Sequence, residues 1–255
     1  MLSADAVVIR TVDFSETSRI VTLYTRPFGK IEALAKGARR LKSPFESSLD
    51  ILSHVAVTFI PKRGDALDLL TESKLIRRFH IMPKNLSGVL GSFYVAELLD
   101  LFIEPEDPMP ALYDLAVKAL HLLEECSFVM RTLIRFEGRL LQMTGHRPML
   151  GHCIGCGLPL EYKSADYVTF GLSDGGVLCP LCAPGYRQTI RMAAETLKKW
   201  EILINPADRT EEWKKTSIRK ETLREIRGTL NQYICHLLGK KPRLYDWWKI
   251  MAKND

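Results

Sequence analysis

With 255 residues, 46% of them hydrophobic and 26% charged, the chain can hold one large domain or two to three small ones, and its makeup excludes the disordered and fibrous classes. No apolar run reaches the roughly 18–20 residues that span a bilayer, and the N-terminal MLSADAVVIRTVDFSE lacks the ordered segments of a secretion signal, so a cytoplasmic protein is expected. A formal net charge of +6 and a pI of about 9.0 favour polyanionic partners, either nucleic acid or acidic protein tails.

Five short β-rich runs come first: Val7-Val8-Ile9, Ile20 to Tyr24, Lys30 to Leu34, Val55 to Ile60 and Leu67 to Thr71. Turn signals separate them at Pro27-Phe28-Gly29 and at Pro61-Lys62-Arg63-Gly64. So many strands in about eighty residues suit a compact barrel, because closure removes the edges that would otherwise aggregate. The densest positive cluster, Lys36-Gly37-Ala38-Arg39-Arg40-Leu41-Lys42, follows the third strand and contains no acid. Arg10, Arg19, Arg26, Lys30, Lys62 and Arg63 fall on neighbouring strands or turns. Repeated cations along a groove are what phosphate-backbone binding needs, and exposed aromatic faces add stacking. Arg10, Arg19, Lys30, Lys36, Arg39, Arg40, Lys42, Lys62 and Arg63 are therefore the expected DNA-binding set. Phe14, Tyr24, Phe28 and Phe45 are candidates for stacking on bases, although filling the barrel core is the simpler role for each.

From about Asn85 the period becomes helical, with Leu86, Leu90, Phe93, Glu97 and Leu101 on one stripe widened by Val89 and Leu98. Pro105, Pro108 and Pro110 end that helix. A second is predicted over Leu112 to Glu125 and a third over Val129 to Thr144, stopped by Gly145 and Pro148. On the third, Arg131, Arg135 and Arg139 recur every four residues and share a face, which suits DNA phosphates, an acidic peptide or plain solvent. Residues 150 to 188 carry no long periodic run. Helical spacing resumes from Ile190 to Ile204, a polar stretch covers Asn205 to Lys220, and a last helical region spans Leu223 to Leu238. Lys240-Lys241-Pro242-Arg243 then either caps that helix or contacts an anion, ahead of Trp247-Trp248.

Cys153-Ile-Gly-Cys156 and Cys179-Pro-Leu-Cys182 have the spacing of two zinc knuckles, and four thiolates would close a tetrahedral Zn2+ site with no open position for water. Such a site is structural. His152 stands beside the first ligand as a bystander, and Cys126 and Cys235 read as small buried hydrophobes. A redox dithiol pair is the rival, without the βαβ context that would favour it. No P-loop, G-x-S-x-G elbow or H-E-x-x-H helix is present. Asp65, Asp68 and Glu72 are a weak carboxylate cluster for a metal-dependent nuclease, so a non-enzymatic binding protein is expected, with no catalytic residues.

These residues together resemble the bacterial RecO recombination mediators. The resemblance rests on Val8…Glu16…Arg19-Ile-Val-Thr-Leu-Tyr24-Thr25…Gly29-Lys30, on Lys36-Gly-Ala-Arg-Arg-Leu-Lys-Ser43, and on Tyr94-Val-Ala-Glu97-Leu-Leu99. It continues through Arg135-Phe-Glu137-Gly-Arg139-Leu-Leu141, Gly145-His-Arg-Pro148, the two cysteine pairs with Gly157, Gly175 and Gly176, and Leu238-Gly239-Lys240-Lys241-Pro242. It covers nearly the whole chain in order; Asn205 to Lys220 is more polar than the family's helical bundle. It implies an α+β multidomain protein with an N-terminal OB-fold β-barrel (1–80), an α-helical body (81–149 and 189–255) and a four-cysteine zinc-ribbon insertion (150–188). It further implies binding of single- and double-stranded DNA, annealing of complementary strands, and work with RecR to load RecA onto DNA coated by single-stranded DNA-binding protein, whose acidic tail is contacted. The alternative is a nucleic-acid-processing or RNA-modifying enzyme that uses the same modules for capture.

Overall fold

The computed structural model describes the whole chain except residues 46–47, 63, 65, 80–85, 126–127, 161–166, 208–210 and 247–255. Packing divides it into two units, one of Met1–Ser127 with Asp246–Asp255 and one of Phe128–Tyr245.

In the first unit, β1 (Leu2–Asp13), β2 (Arg19–Thr25), β3 (Gly29–Ala35), β4 (Ser53–Ile60) and β5 (Asp68–Arg78) close a barrel in the order β1-β2-β3-β5-β4. All neighbours are antiparallel except β3 and β5, which pair in parallel through Ala33↔Asp68, Leu34↔Leu69 and Ala35↔Leu70. A five-stranded closed barrel with that order is the OB-fold. Strand β4 shows the cause most plainly: Ser53, Val55, Val57 and Phe59 are buried while their neighbours are half-exposed, the two-residue period of a sheet with one wet face. Ala6, Val8, Val21, Leu23, Ile31, Ala33, Val57, Phe59 and Leu70 meet inside, and Phe45 and Leu49 plug the barrel from the β3–β4 connection. The first and fifth strands are longer than their apolar runs predict, because polar residues such as Ser3, Asp5 and Lys74 continue the ladders beside β4.

Helices α1 (Leu86–Phe102) and α2 (Pro110–Glu124) pack on each other, and α1 packs on β1. The predicted stripe on α1 is corrected. Leu86 and Phe93 are exposed, and the buried residues are Gly88, Gly91, Ser92, Tyr94, Val95, Ala96, Leu98 and Leu99, of which only Leu98 belongs to the expected stripe. Apolar residues fall on every side of that helix, so spacing alone leaves its buried face open. The return from α1 presses against the β2–β3 turn. Gly29 has φ +69°, and a Cβ there would lie 2.1 Å from the Asp107 carbonyl oxygen, so only glycine fits.

The second unit holds α3 (Val129–Met143), a three-stranded antiparallel sheet of β6 (Tyr167–Gly171), β7 (Gly176–Leu178) and β8 (Thr189–Ala193) with β6 central, then α4 (Ala194–Ile204), the single-turn α5 (Glu212–Lys215) and α6 (Lys220–Leu238). The helix expected from Ile190 starts four residues later. Residues 190 to 193 extend β8 against Tyr167–Phe170, a pairing across twenty residues or more that local periodicity does not reveal. Helices α3, α4 and α6 pack together around Trp200, Leu203, Leu230 and Ile234. Glu137 of α3 and Arg227 of α6 form an ion pair with both side chains fully buried, and Arg227 Nη1 also donates to Asn231 Oδ1 at 2.6 Å. The backbone N–H of Ala193, at the start of α4, donates to Glu225 Oε1 at 3.0 Å, so a carboxylate of α6 caps the helix end that the Ala193 side chain cannot.

Candidate nucleic-acid interface and metal centre

Strand register builds the cationic site. Asp13 lies opposite Arg19 in the last β1–β2 pair, and Arg19 lies opposite Ala35 in the last β2–β3 pair. One row across three strands therefore ends where the basic loop departs at Lys36. Gly37 takes φ +78° and lets the chain turn back, with Arg40 N–H on the Gly37 carbonyl at 3.1 Å. The Arg39 backbone N–H bonds the Thr17 carbonyl at 3.1 Å and its Nη1 bonds the Ser15 carbonyl at 2.7 Å, tying the basic loop to the β1–β2 turn. Asp13 accepts from Arg19 Nε at 3.0 Å and meets Arg39 Nε at 3.4 Å. The result is an open groove of about 740 Å³ lined by Arg19 and by residues 38–44. Lys36, Arg39, Arg40 and Lys42 are all exposed.

The other predicted cations distribute differently. Lys62 is exposed, and its backbone N–H bonds Asp68 Oδ1 at 2.9 Å; since Asp68 pairs with Ala33, the β4–β5 connection joins the barrel beside the root of the basic loop. Arg63 lies outside the described residues. Lys30 is largely buried, with Nζ on the Asp100 carbonyl at 2.8 Å, where it satisfies the last turn of α1. Arg10 is half-exposed and 3.8 Å from Asp100. Of the aromatics, Tyr24 and Phe45 are buried and Phe28 packs edge-on against Phe59 at 5.6 Å, whereas Phe14 is 59% exposed on the turn beside Arg39. Asp68 is occupied by the Lys62 amide, Glu72 is exposed, and Asp65 lies outside the described residues.

The arginines of α3 face their own unit. Arg131 Nη1 donates to the Trp213, Lys214 and Thr216 carbonyls at 3.1, 3.0 and 2.8 Å, and Arg135 Nη1 donates to those of Leu203 and Asn205 at 2.9 and 3.2 Å. Arg135 also stacks over the ring of Trp213, which is buried. Burial lowers the pKa of Arg131 and Arg139 from the ordinary arginine value. The polar segment after α4 is thus held down by two guanidinium groups and one indole. Lys241 stacks on Tyr245 just past α6, and Trp247-Trp248 lie outside the described residues.

The four cysteine sulfurs Cys153, Cys156, Cys179 and Cys182 lie within 4.8 Å of one another, with Cys156 and Cys179 4.0 Å apart. Zinc–sulfur bonds of about 2.3 Å in a tetrahedron need sulfurs about 3.8 Å apart, so the donor set fits a metal of that kind. Each pair sits on a tight turn: Gly157 N–H bonds the Cys153 carbonyl at 2.8 Å, and Cys182 N–H bonds that of Cys179 at 3.1 Å. A Cβ on Gly155 would come within 2.9 Å of Cys182 Cβ, so the first knuckle needs glycine to admit the second. Burial opposes ionisation of Cys153, but N–H donation from Cys179, Cys156 and Gly155 brings its thiol down to about 6. Contact with Cys179 and burial push Cys182 up to about 12. The backbone donors thus favour a thiolate at Cys153, the buried member of the four. His152 is exposed and outside this cluster, Cys235 is half-buried on α6, and Cys126 lies outside the described residues. The sheet anchors the knuckles: Ile154 N–H bonds the Val177 carbonyl at 2.9 Å, and Phe170 packs on Trp200 and Tyr233 at 5.5 and 5.8 Å.

No helix among the described residues is long and apolar enough to cross a membrane. Residues 1–79 match the family model for the N-terminal part of recombination protein O, and residues 84–245 match that for its C-terminal part. The chain is 39% identical to the DNA repair protein RecO of Rhodopirellula baltica over 94% of this chain and 96% of that one. It is 33% identical to that of Syntrophus aciditrophicus over 92% and 90%, and 34% identical to that of Symbiobacterium thermophilum over 78% and 79%.

Proposed function

The chain belongs to the recombination protein O family, and from that premise we propose that it is a DNA repair mediator which gathers single- and double-stranded DNA on its barrel and anneals complementary strands. The groove of Arg19, Arg39, Arg40 and Lys42 carries this reading, with exposed Lys36, Lys62 and Arg10 as further phosphate contacts; Arg63 joins them on sequence alone, and Lys30, held on the Asp100 carbonyl, is left out. Four cations in seven residues, exposed beside Phe14, offer a sequence-independent phosphate track with a ring for stacking. Two strands held on one cationic surface lose their mutual repulsion, so pairing proceeds without any bond being made or broken by the protein. No catalytic residue enters this scheme.

In the same reading the protein acts in the cytoplasm with RecR to load RecA onto DNA covered by single-stranded DNA-binding protein, and it contacts that protein's acidic tail. Arg131, Arg135 and Arg139 are the contacts that sequence suggests for DNA or that tail; with Arg131 and Arg135 held by carbonyls, we give the helical ridge a structural role and leave phosphate binding to the barrel. The work divides as residues 1–80 for nucleic acid, 150–188 for one structural Zn2+ on Cys153, Cys156, Cys179 and Cys182, and 81–149 with 189–255 as the helical body. Bound zinc supplies cross-linking of the two knuckles, and with four thiolates it retains no site for substrate.

A salt titration of oligonucleotide binding tests the proposal. Wild type should lose affinity steeply as salt rises, and Arg39→Ala with Arg40→Ala should flatten the logarithmic slope by about 1.4 on single strands if two phosphate contacts are lost. Superimposable titrations, or cleavage of the oligonucleotide by the purified protein, would overturn it.

A further inference from the structure

Asp13 is an acid at the mouth of a groove whose other charged side chains are cations. Its half-exposed carboxylate uses one oxygen for Arg19 Nε, at 3.0 Å, and the other for Arg39 Nε, at 3.4 Å. In both, the nearest approach is by Nε. The Arg19 terminal amino groups and Arg39 Nη2 donate no hydrogen bond among the described residues, while Arg39 Nη1 is fixed on the Ser15 carbonyl. Terminal amino groups are the donors that grip phosphate, and a long side chain loses less entropy on binding when it is already held in place. The carboxylate also occupies the row of register that joins β1, β2 and the root of the basic loop, so it lies where both arginines can be reached at once.

We propose that Asp13 is a positioning residue of the phosphate groove: it fixes Arg19 and Arg39 so that their terminal amino groups stay presented to a nucleic-acid backbone. The inference rests on the nucleic-acid reading of this groove. A carboxylate near phosphates repels them, and at a separation of about 8 Å in water its removal should tighten binding by about twofold, less as salt screens it. Loss of positioning acts oppositely, by roughly two- to tenfold for each side chain that must be ordered anew.

The experiment is fluorescence anisotropy with a labelled thymidine oligonucleotide on full-length, zinc-replete protein, at low and moderate salt. Asp13→Ala should bind about three- to tenfold more weakly, although its net charge is one unit more positive. Asp13→Asn, which keeps one acceptor, should recover part of that loss, and the loss should shrink by half or more when Arg39→Ala is already present. Circular dichroism checks that each variant is folded; should Asp13→Ala not fold, Asp13→Asn is compared with wild type under the same criterion. Equal or tighter binding by the folded variant would overturn the role of Asp13 while leaving the groove intact. Wild type that ignores the oligonucleotide would instead remove the reading beneath it.

Discussion

The ion pair between Glu137 and Arg227 gives the second unit its most sensitive point. Both side chains are fully buried, so Glu137→Ala would leave a guanidinium in the interior with its counter-charge gone. Such a truncation costs about 3–5 kcal/mol, most of it the desolvation of the abandoned charge. Against a total stability of about 5–15 kcal/mol that is a large share. For a unit of this size each kcal/mol moves the melting temperature by about 3–6 °C, so the midpoint should fall by roughly 10–20 °C. Urea unfolding followed by tryptophan fluorescence is a suitable assay, because Trp200 and Trp213 are both buried in this unit. Replacing both partners, as Glu137→Leu with Arg227→Met, should restore most of the loss, since neither charge then needs a partner. A single variant that loses less than about 1 kcal/mol, or a double variant no better than the single, would refute the reasoning.

Cys179→Ser should release the metal and loosen the β6–β8 sheet, read as loss of zinc by elemental analysis together with fast proteolysis between residues 150 and 188; a folded variant that retains one zinc per chain would contradict the four-sulfur site. His54, half-buried with Nε2 3.0 Å from the Tyr113 hydroxyl, has its pKa lowered from 6.5, chiefly by burial. The unfolded chain then binds the proton more readily, so this stabilisation is complete above about pH 6.5 and is lost as the pH falls through that value towards the lower folded pKa. Melting curves of wild type between about pH 7 and pH 5 should show that decline, and His54→Gln should make it shallower.

Much of this architecture is readable from local pattern. Five β-rich runs point to a barrel, and two C-x-x-C pairs point to the metal centre, because alternation and knuckle spacing are short-range properties. What stays hidden depends on partners distant in sequence. Ile190 and Met192 fit a helix or a strand until Tyr167–Gly171 is known to lie beside them. Arg131 and Arg135 share a helix face at a spacing that says nothing of what the face meets; it meets carbonyls some seventy to eighty-five residues away. Lys30 looks like its neighbours in the basic set, yet it serves the end of α1. Asp13 escapes a reading of the sequence because an isolated acid at a strand end carries no motif, and only register sets it against Arg19.

The parallel seam between β3 and β5 has a consequence for how the barrel moves. Three rungs close the cylinder there, whereas β2 and β3 are joined by seven. Amide exchange should open this zip ahead of the others, and the basic loop leaves the sheet at the same place, one residue after Ala35. The part of the wall with the fewest rungs is therefore the part from which the basic loop springs, so the loop's root should exchange its amides sooner than the β2–β3 side.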